Sequence, residues 1–207
     1  MSEFASQTMI DEKGYMTNEQ VEQIIDATSN LRDRVLLQLM YRCGRRVSEI
    51  LALEKGDIFW EEKKIAFTIL KRRKPVKELK PVDEDTINIL KEYLDTYNNI
   101  EKIKKRPIDN RVFPISRQYV FKLMRKLGKN TGIEKIGKKK IHPHHLRHSF
   151  AVHQVKTHVK TMEDLRKLQR FMSHANVNTT SHYLQYSADD LRDMVDIWKK
   201  KEKKQDG

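Results

Sequence analysis

The chain of 207 residues contains one cysteine, Cys43, set in an apolar run. A single thiol excludes an internal disulfide framework and favours a reducing compartment. No apolar run approaches the ~20 residues needed to cross a bilayer, so no membrane span is expected. Met1 to Asp11 lack the basic and apolar regions of a signal peptide. No internal repeat is visible, and low complexity is confined to the tail Lys199 to Lys204. Acid is the scarcer charge: 29 Asp and Glu stand against 42 Lys and Arg, a formal net charge of +13. That excess points to a polyanionic partner. Acids are rarest between Lys102 and Arg147, which makes this half the electrostatic footprint.

The length suits one good-sized domain or a domain with a small appendage, and the hydrophobic content of 38% fits a fold with a wide wet surface. Residues 1–15 show no periodicity and read as a tail or linker remnant. Thr17 and Gln20 form a capping box, followed by a helix with Val21, Ile24 and Ile25 on its apolar stripe. A second helix is expected over 31–43, ended by Gly44. Val47, Ile50, Leu51 and Leu53 suit a short third helix. Strands are predicted at 57–60 and 64–70, and 76–82 pairs with the latter across a cationic tip, Lys71-Arg72-Arg73-Lys74. A long helix follows from Asp83 or Glu84 to Tyr97, and then a basic loop, Lys102 to Arg106, closed by Pro107. Ser116 caps a helix to about Lys129, apolar at Val120, Leu123, Met124 and Leu127. Its other face carries Arg117, Lys122, Arg125, Lys126 and Lys129, with Tyr119 and Phe121 interleaved. That is the look of a helix facing nucleic acid or of a solvated face. Lys138-Lys139-Lys140 precede Pro143, which suits the first position of the next helix. A linker at 157–160 precedes an amphipathic helix over 162–172. A short helix capped by Asn176 or Asn178 and a final helix carrying Leu191, Met194, Val195 and Trp198 complete the expected fold, which is mainly α with a small antiparallel β-sheet.

Chemistry concentrates at His144-His145-Leu146-Arg147-His148. His144, Arg147 and His148 are three and four apart and share a helix face. Two imidazoles and a permanent cation suit a phosphate. A zinc site at His144 and His148 is disfavoured, because Arg147 would repel a dication and no Cys, Asp or Glu nearby completes the ligand set. Arg46 and Glu49 lie one turn apart, either as an ordinary surface pair or as an arginine held so that its free edge meets a phosphate.

Four stretches together resemble the tyrosine recombinases, the lambda-integrase-like phage integrases and Xer-type resolvases. They are Gly-x-Arg-Val-Ser-Glu-Ile at 44–50, a hairpin lysine near 71, His144-x-Leu-Arg147-His-Ser-Phe-Ala, and His174 within His-x4-Thr-Thr-x-x-Tyr ending at Tyr183. The resemblance runs from about Met16 to Trp198 and implies the family's catalytic domain and fold over 16–200, with 201–207 a basic disordered tail and the N-terminal core-binding domain absent. It implies site-specific cleavage and rejoining of DNA through a 3′-phosphotyrosyl bond, as in DNA integration and recombination. Tyr183 would be the nucleophile, and His144 would take its proton. Arg46, Arg147 and His174 would hold the nonbridging oxygens. Lys71 would protonate the departing 5′-oxygen, although Lys74 lies in the same window. Glu49 and His148 would support them. Arg45, Arg72, Arg73, Lys74, Arg117, Lys122, Arg125, Lys126, Lys138, Lys139 and Lys140 are the expected DNA-binding cations. No metal and no cofactor is implied. The implied partner is double-stranded DNA, engaged by a homotetramer that is a monomer when free, in the cytoplasm at the nucleoid, with a virus or plasmid as one source of the gene. Two rival readings are a type IB topoisomerase-like relaxation of DNA and a DNA-binding module without catalysis. Two departures stand out: Ser173 replaces the family's usual glycine, and Tyr186 offers a second phenol.

Overall fold

A computed structural model describes residues 14–70, 74–103, 109–174 and 180–184. The chain divides into two units, Met1–Phe150 and Ala151–Gly207. In the first, α1 (Asn18–Asp26) opens on the expected capping box: Thr17 Oγ1 accepts from the Gln20 amide at 3.2 Å, and Gln20 Oε1 accepts from the Thr17 amide at 3.0 Å. α2 (Leu31–Arg42) is capped by Asn30 and buries Val35, Leu36, Leu37, Leu39 and Met40. The short α3 (Val47–Leu51) follows the turn at Gly44.

A single-turn 3-10 helix at Lys55–Asp57 leads to an antiparallel sheet of β1 (Ile58–Phe59), β2 (Lys64–Ile69) and β3 (Val76–Pro81), in that order. Ile65, Phe67 and Ile69 point inward from β2 and are buried. Alternation puts Ala66 and Thr68 on the other side. α4 (Glu84–Ile103) runs past the expected end at Tyr97. No proline or glycine interrupts it before Pro107, so hydrogen bonding simply continues. Lys102, expected in the basic loop, therefore stands in the helix. α5 (Arg117–Thr131) ends at Gly132, whose φ is +75°. The lysine run expected as a plain connection forms a small hairpin, β4 (Lys135–Ile136) with β5 (Lys139–Lys140), turning at Gly137. α1 packs on α2 and α5, α2 on α4, and α3 on β2 and α5. Phe67, Phe113, Ile50, Leu36 and Met124 are among the side chains of this core.

α6 (His144–His158) begins in the first unit and continues as the start of the second. It absorbs Thr157 and His158, which were expected in a linker. α7 (Met162–Met172) has its own capping box from Thr161 and Asp164 and buries Leu165, Leu168 and Met172. Its C-cap, Ser173, takes the left-handed conformation at φ 55°, which glycine adopts without strain. Residues 180–184 form a helical turn. The tail to residue 13, Lys71, Arg72 and Arg73, Lys104 to Arg106, the caps Asn176 and Asn178, Tyr186, the final helix and the basic tail 201–207 lie outside the described residues. Among the described residues, no helix is long and apolar enough to cross a membrane.

Gly44 is the pivot between α2 and α3. Its φ is +57°, and a Cβ there would run into the ring of Phe150. Gly44→Ala therefore meets both left-handed strain and a ring it cannot avoid. It is expected to cost about 2–4 kcal/mol in urea or thermal denaturation. A cost below about 1 kcal/mol would mean that the Phe150 ring has room to turn aside.

Candidate active site

The site of the first unit is built around a carboxylate. Glu49 is 1% exposed and lies on α3, one turn after Arg46. Its Oε1 accepts from Arg46 Nη1 at 2.7 Å, and its Oε2 accepts from the Arg46 amide at 3.1 Å. Oε2 also lies 3.8 Å from Nη1 of Arg147, on the first turn of α6. Arg147 Nη1 donates to the Gly44 carbonyl at 2.5 Å. Two guanidiniums from segments a hundred residues apart thus share one buried acid. The pairing offsets the desolvation of all three charges. Arg46 keeps part of its side chain at the surface, whereas Arg147 is buried.

Histidines line the start of α6. The His142 amide donates to Nδ1 of His145 at 3.1 Å, and the two rings lie 3.9 Å apart. His142 also stacks on Phe121 at 6.4 Å, and Arg117 lies over the other end of this ladder, 5.3 Å from the Phe121 ring. His144 reaches the surface. Burial of part of its ring, then interaction with His142 and the cations Arg147, Arg46 and Arg117, hold its pKa below the ordinary imidazole range. At neutral pH it is therefore a base with a lone pair available to accept a proton. His148 is pushed the same way, by burial and then by Lys139.

In the second unit His174 is held on three sides. Its amide donates to Gln169 O at 3.1 Å, its carbonyl accepts from Gln169 Nε2 at 3.2 Å, and its Nδ1 meets Thr180 Oγ1 at 2.9 Å. The Tyr183 ring stacks against it, with centroids 6.4 Å apart and planes at 19°. Thr180 is fully buried. Sequence reasoning gave it no role, although it stands inside the quoted motif, six residues after His174. His142 was likewise passed over, since a histidine before proline carries no helical signal of its own.

Several expected positions fall elsewhere. Arg45, counted among the DNA-facing cations, is fully buried and lies over the Phe67 ring at 4.8 Å, so it presents no surface to DNA. Tyr119 turns away from the basic face: its hydroxyl donates to Asp33 Oδ2 at 2.6 Å and accepts from Arg32 Nη2 at 2.6 Å, tying α5 to α2. Lys74, Arg117, Lys122, Arg125, Lys126, Lys138, Lys139 and Lys140 are exposed. Arg117, Gln118, Phe121, Lys122 and Arg125 line a shallow hollow of about 360 Å³ on α5. Cys43 is buried and its thiol is pushed up to about 12, so it is unreactive at neutral pH. Among the described residues, no three His, Cys, Asp or Glu side chains converge as metal ligands.

Burial drives the pKa of His145 down to about 3, helped by its interaction with His142, His148, Lys139 and His144, which disfavours a further positive charge. An unfolded imidazole titrates near 6.5. The native state thus refuses a proton that the unfolded chain takes up. The associated stability is complete above pH 6.5 and declines as pH falls toward 3, by up to about 1.4 kcal/mol per pH unit. His145→Asn keeps an acceptor for the His142 amide but does not titrate. Its unfolding free energy is expected to fall less steeply between pH 6.5 and 4 than that of the parent. An unchanged slope would assign the acid loss to other groups.

The description "Phage integrase family" matches residues 14–189. The tyrosine recombinase XerA of Pyrococcus horikoshii is 31% identical over 185 residues, covering 87% of this chain and 60% of that protein. The chain thus spans about 60% of the length of such curated relatives. The crystal structure of XerA recombinase superposes with a TM-score of 0.67 at 26% identity, covering 87% of this chain and 63% of that one. The catalytic domain of bacteriophage HP1 integrase shares the fold, with a TM-score of 0.61 at 17% identity over 88% of this chain and 93% of that one. The paired arginines on Glu49 and the histidine stacked on Tyr183 thus stand within a known architecture, and the chain belongs to the phage integrase family, the tyrosine recombinases.

Proposed function

We propose that the protein cleaves and rejoins DNA strands at specific sites through a 3′-phosphotyrosyl intermediate. The observation that carries this reading is the pair of guanidiniums on one buried carboxylate, Arg46 and Arg147 on Glu49. Such a pair is a preorganised clamp for the nonbridging oxygens of a phosphodiester, where negative charge grows as the phosphorus becomes five-coordinate. Losing one such donor typically costs ~10²–10³ in rate.

Tyr183 Oη attacks phosphorus, and the bond to the 5′-oxygen breaks. An unperturbed phenol has a pKa of about 10, so deprotonation needs assistance. His144, neutral at pH 7, accepts that proton. The 5′-oxygen leaves as a hydroxyl after taking a proton from Lys71 or Lys74. His174, whose Nδ1 meets Thr180 Oγ1, turns Nε2 to a nonbridging oxygen and donates a hydrogen bond there. His148 supports the helix that carries Arg147. The phosphotyrosyl ester conserves the energy of the broken bond, so a 5′-hydroxyl from another strand reverses the step without nucleotide or metal. Arg117, Lys122, Arg125, Lys126 and Lys138 to Lys140 supply the salt-sensitive contacts to the duplex. By analogy with the family, the working form is a homotetramer on two duplexes, and the place of action is wherever the genome is, in the cytoplasm. A type IB topoisomerase shares the chemistry but would yield relaxed circles, whereas a recombinase yields strands exchanged between two defined sites.

Incubation with a nicked suicide duplex tests the reading. The parent protein is expected to give a covalent adduct, and Tyr183→Phe is expected to give none while retaining salt-sensitive duplex binding. No adduct from the parent would leave only a DNA-binding module. An adduct that survives in Tyr183→Phe and disappears in Tyr186→Phe would move the nucleophile to Tyr186.

A further inference from the structure

Arg45 is an arginine with no exposed surface, in a chain that has ample surface for cations. Desolvating a guanidinium costs several kcal/mol unless neighbours offset it. Its neighbours are specific. The guanidinium lies over the Phe67 ring at 4.8 Å. Phe67 of β2 is paired across the sheet with Glu78 of β3. Glu78 is partly buried and forms an ion pair with Lys80 at 3.0 Å. Burial lowers the pKa of Arg45; Cys43, Glu49 and Glu78 act in the other direction, and the like charge of Arg46 adds to the lowering. Arg45 thus reaches from the 44–46 turn to the face of β2 that carries Phe67, the residue paired with Glu78.

Its backbone belongs to the same turn. The Arg45 amide donates to Met40 O at 3.2 Å, the Gly44 carbonyl accepts from Arg147, and the Arg46 amide donates to Glu49. Packing alone would be served by leucine or methionine over Phe67, with no charge to desolvate. A guanidinium adds a flat surface matched to the ring and a fixed positive charge one residue from Arg46.

We propose that Arg45 is a positioning residue for Arg46: its buried guanidinium braces the 44–46 turn against Phe67 of β2. This rests on the transesterification reading, in which Arg46 clamps the phosphate. Arg45 itself touches no substrate.

The test is single-turnover adduct formation on the nicked suicide duplex at saturating protein, using the full chain. Arg45→Met, Arg46→Lys and the double variant are compared with the parent, with thermal midpoint and duplex affinity measured for each. Arg45→Met is expected to stay folded and to bind the duplex within about twofold of the parent, yet to form adduct about tenfold more slowly. Arg45→Lys is expected to recover part of that loss. In the Arg46→Lys background, Arg45→Met is expected to add less than about twofold, because residues that act through one another are not additive. A rate for Arg45→Met equal to the parent overturns the proposal, and so do equal losses in both backgrounds, which would mark Arg45 as structural only. Should Arg45→Met fail to fold, the same cycle is run with Arg45→Lys, and additivity there overturns the proposal. A parent that forms no adduct, or an Arg46→Lys variant as fast as the parent, sinks the functional reading itself and the role of Arg45 with it.

Discussion

One buried carboxylate organises the first unit of this protein. Glu49 has almost no contact with solvent, and a charge so placed must be paired. Its two oxygens bind Arg46 from its own helix and approach Arg147 from a segment a hundred residues later. The end of α2, the start of α3 and the start of α6 therefore meet at one point. Arg147 also engages the Gly44 carbonyl, and Gly44 itself lies too close to Phe150 to carry any side chain. The guanidiniums are held before any ligand arrives. Preorganisation of that kind lets a donor stabilise developing charge without first rearranging.

Charge is sorted by depth around this point. Lysines and arginines of α5 and of the β4–β5 hairpin lie at the surface, where solvent screens them. Next to them the imidazoles of His142, His144, His145 and His148, from exposed His144 to buried His145, are all held toward their neutral forms, chiefly by burial and then by the cations nearby. Such an imidazole keeps its lone pair free at neutral pH, although the same burial and cations make it a weaker base. The stacking of Arg117, Phe121, His142 and His145 links the exposed charge of α5 to the buried rings at the start of α6.

Much of this was legible along the chain. The Thr17 capping box, the second helix and the Gly44 turn that ends it, the β2–β3 pairing and the Ser116 cap all appear where local pattern put them, because each depends on residues within four positions or on a period of two. α4 was read too short, because asparagines near Tyr97 weaken a helix without stopping it. The β4–β5 hairpin was missed, since a lysine run has little strand character and only Gly137 hints at a turn. Charge counting misjudged Arg45. It treats arginine as a surface residue and cannot see that Phe67 and Glu78 wait across a sheet. Aromatic interleaving likewise assigned Tyr119 to the outer face of α5, whereas its hydroxyl serves Asp33 on α2.

The sequence by itself determined the helices, the small sheet, the basic balance and the dispersed residues on which the family resemblance rests. These follow from local hydrogen bonding, side-chain periodicity and composition, all of which act over short separations. The tertiary structure alone decided that Arg46 and Arg147 share Glu49, that Arg45 faces inward, and that Thr180 holds the His174 ring. Those outcomes depend on which distant or folded-back groups remain available once water is excluded. A buried charge or ring nitrogen takes the partner that packing brings to it, and no local period encodes that partner.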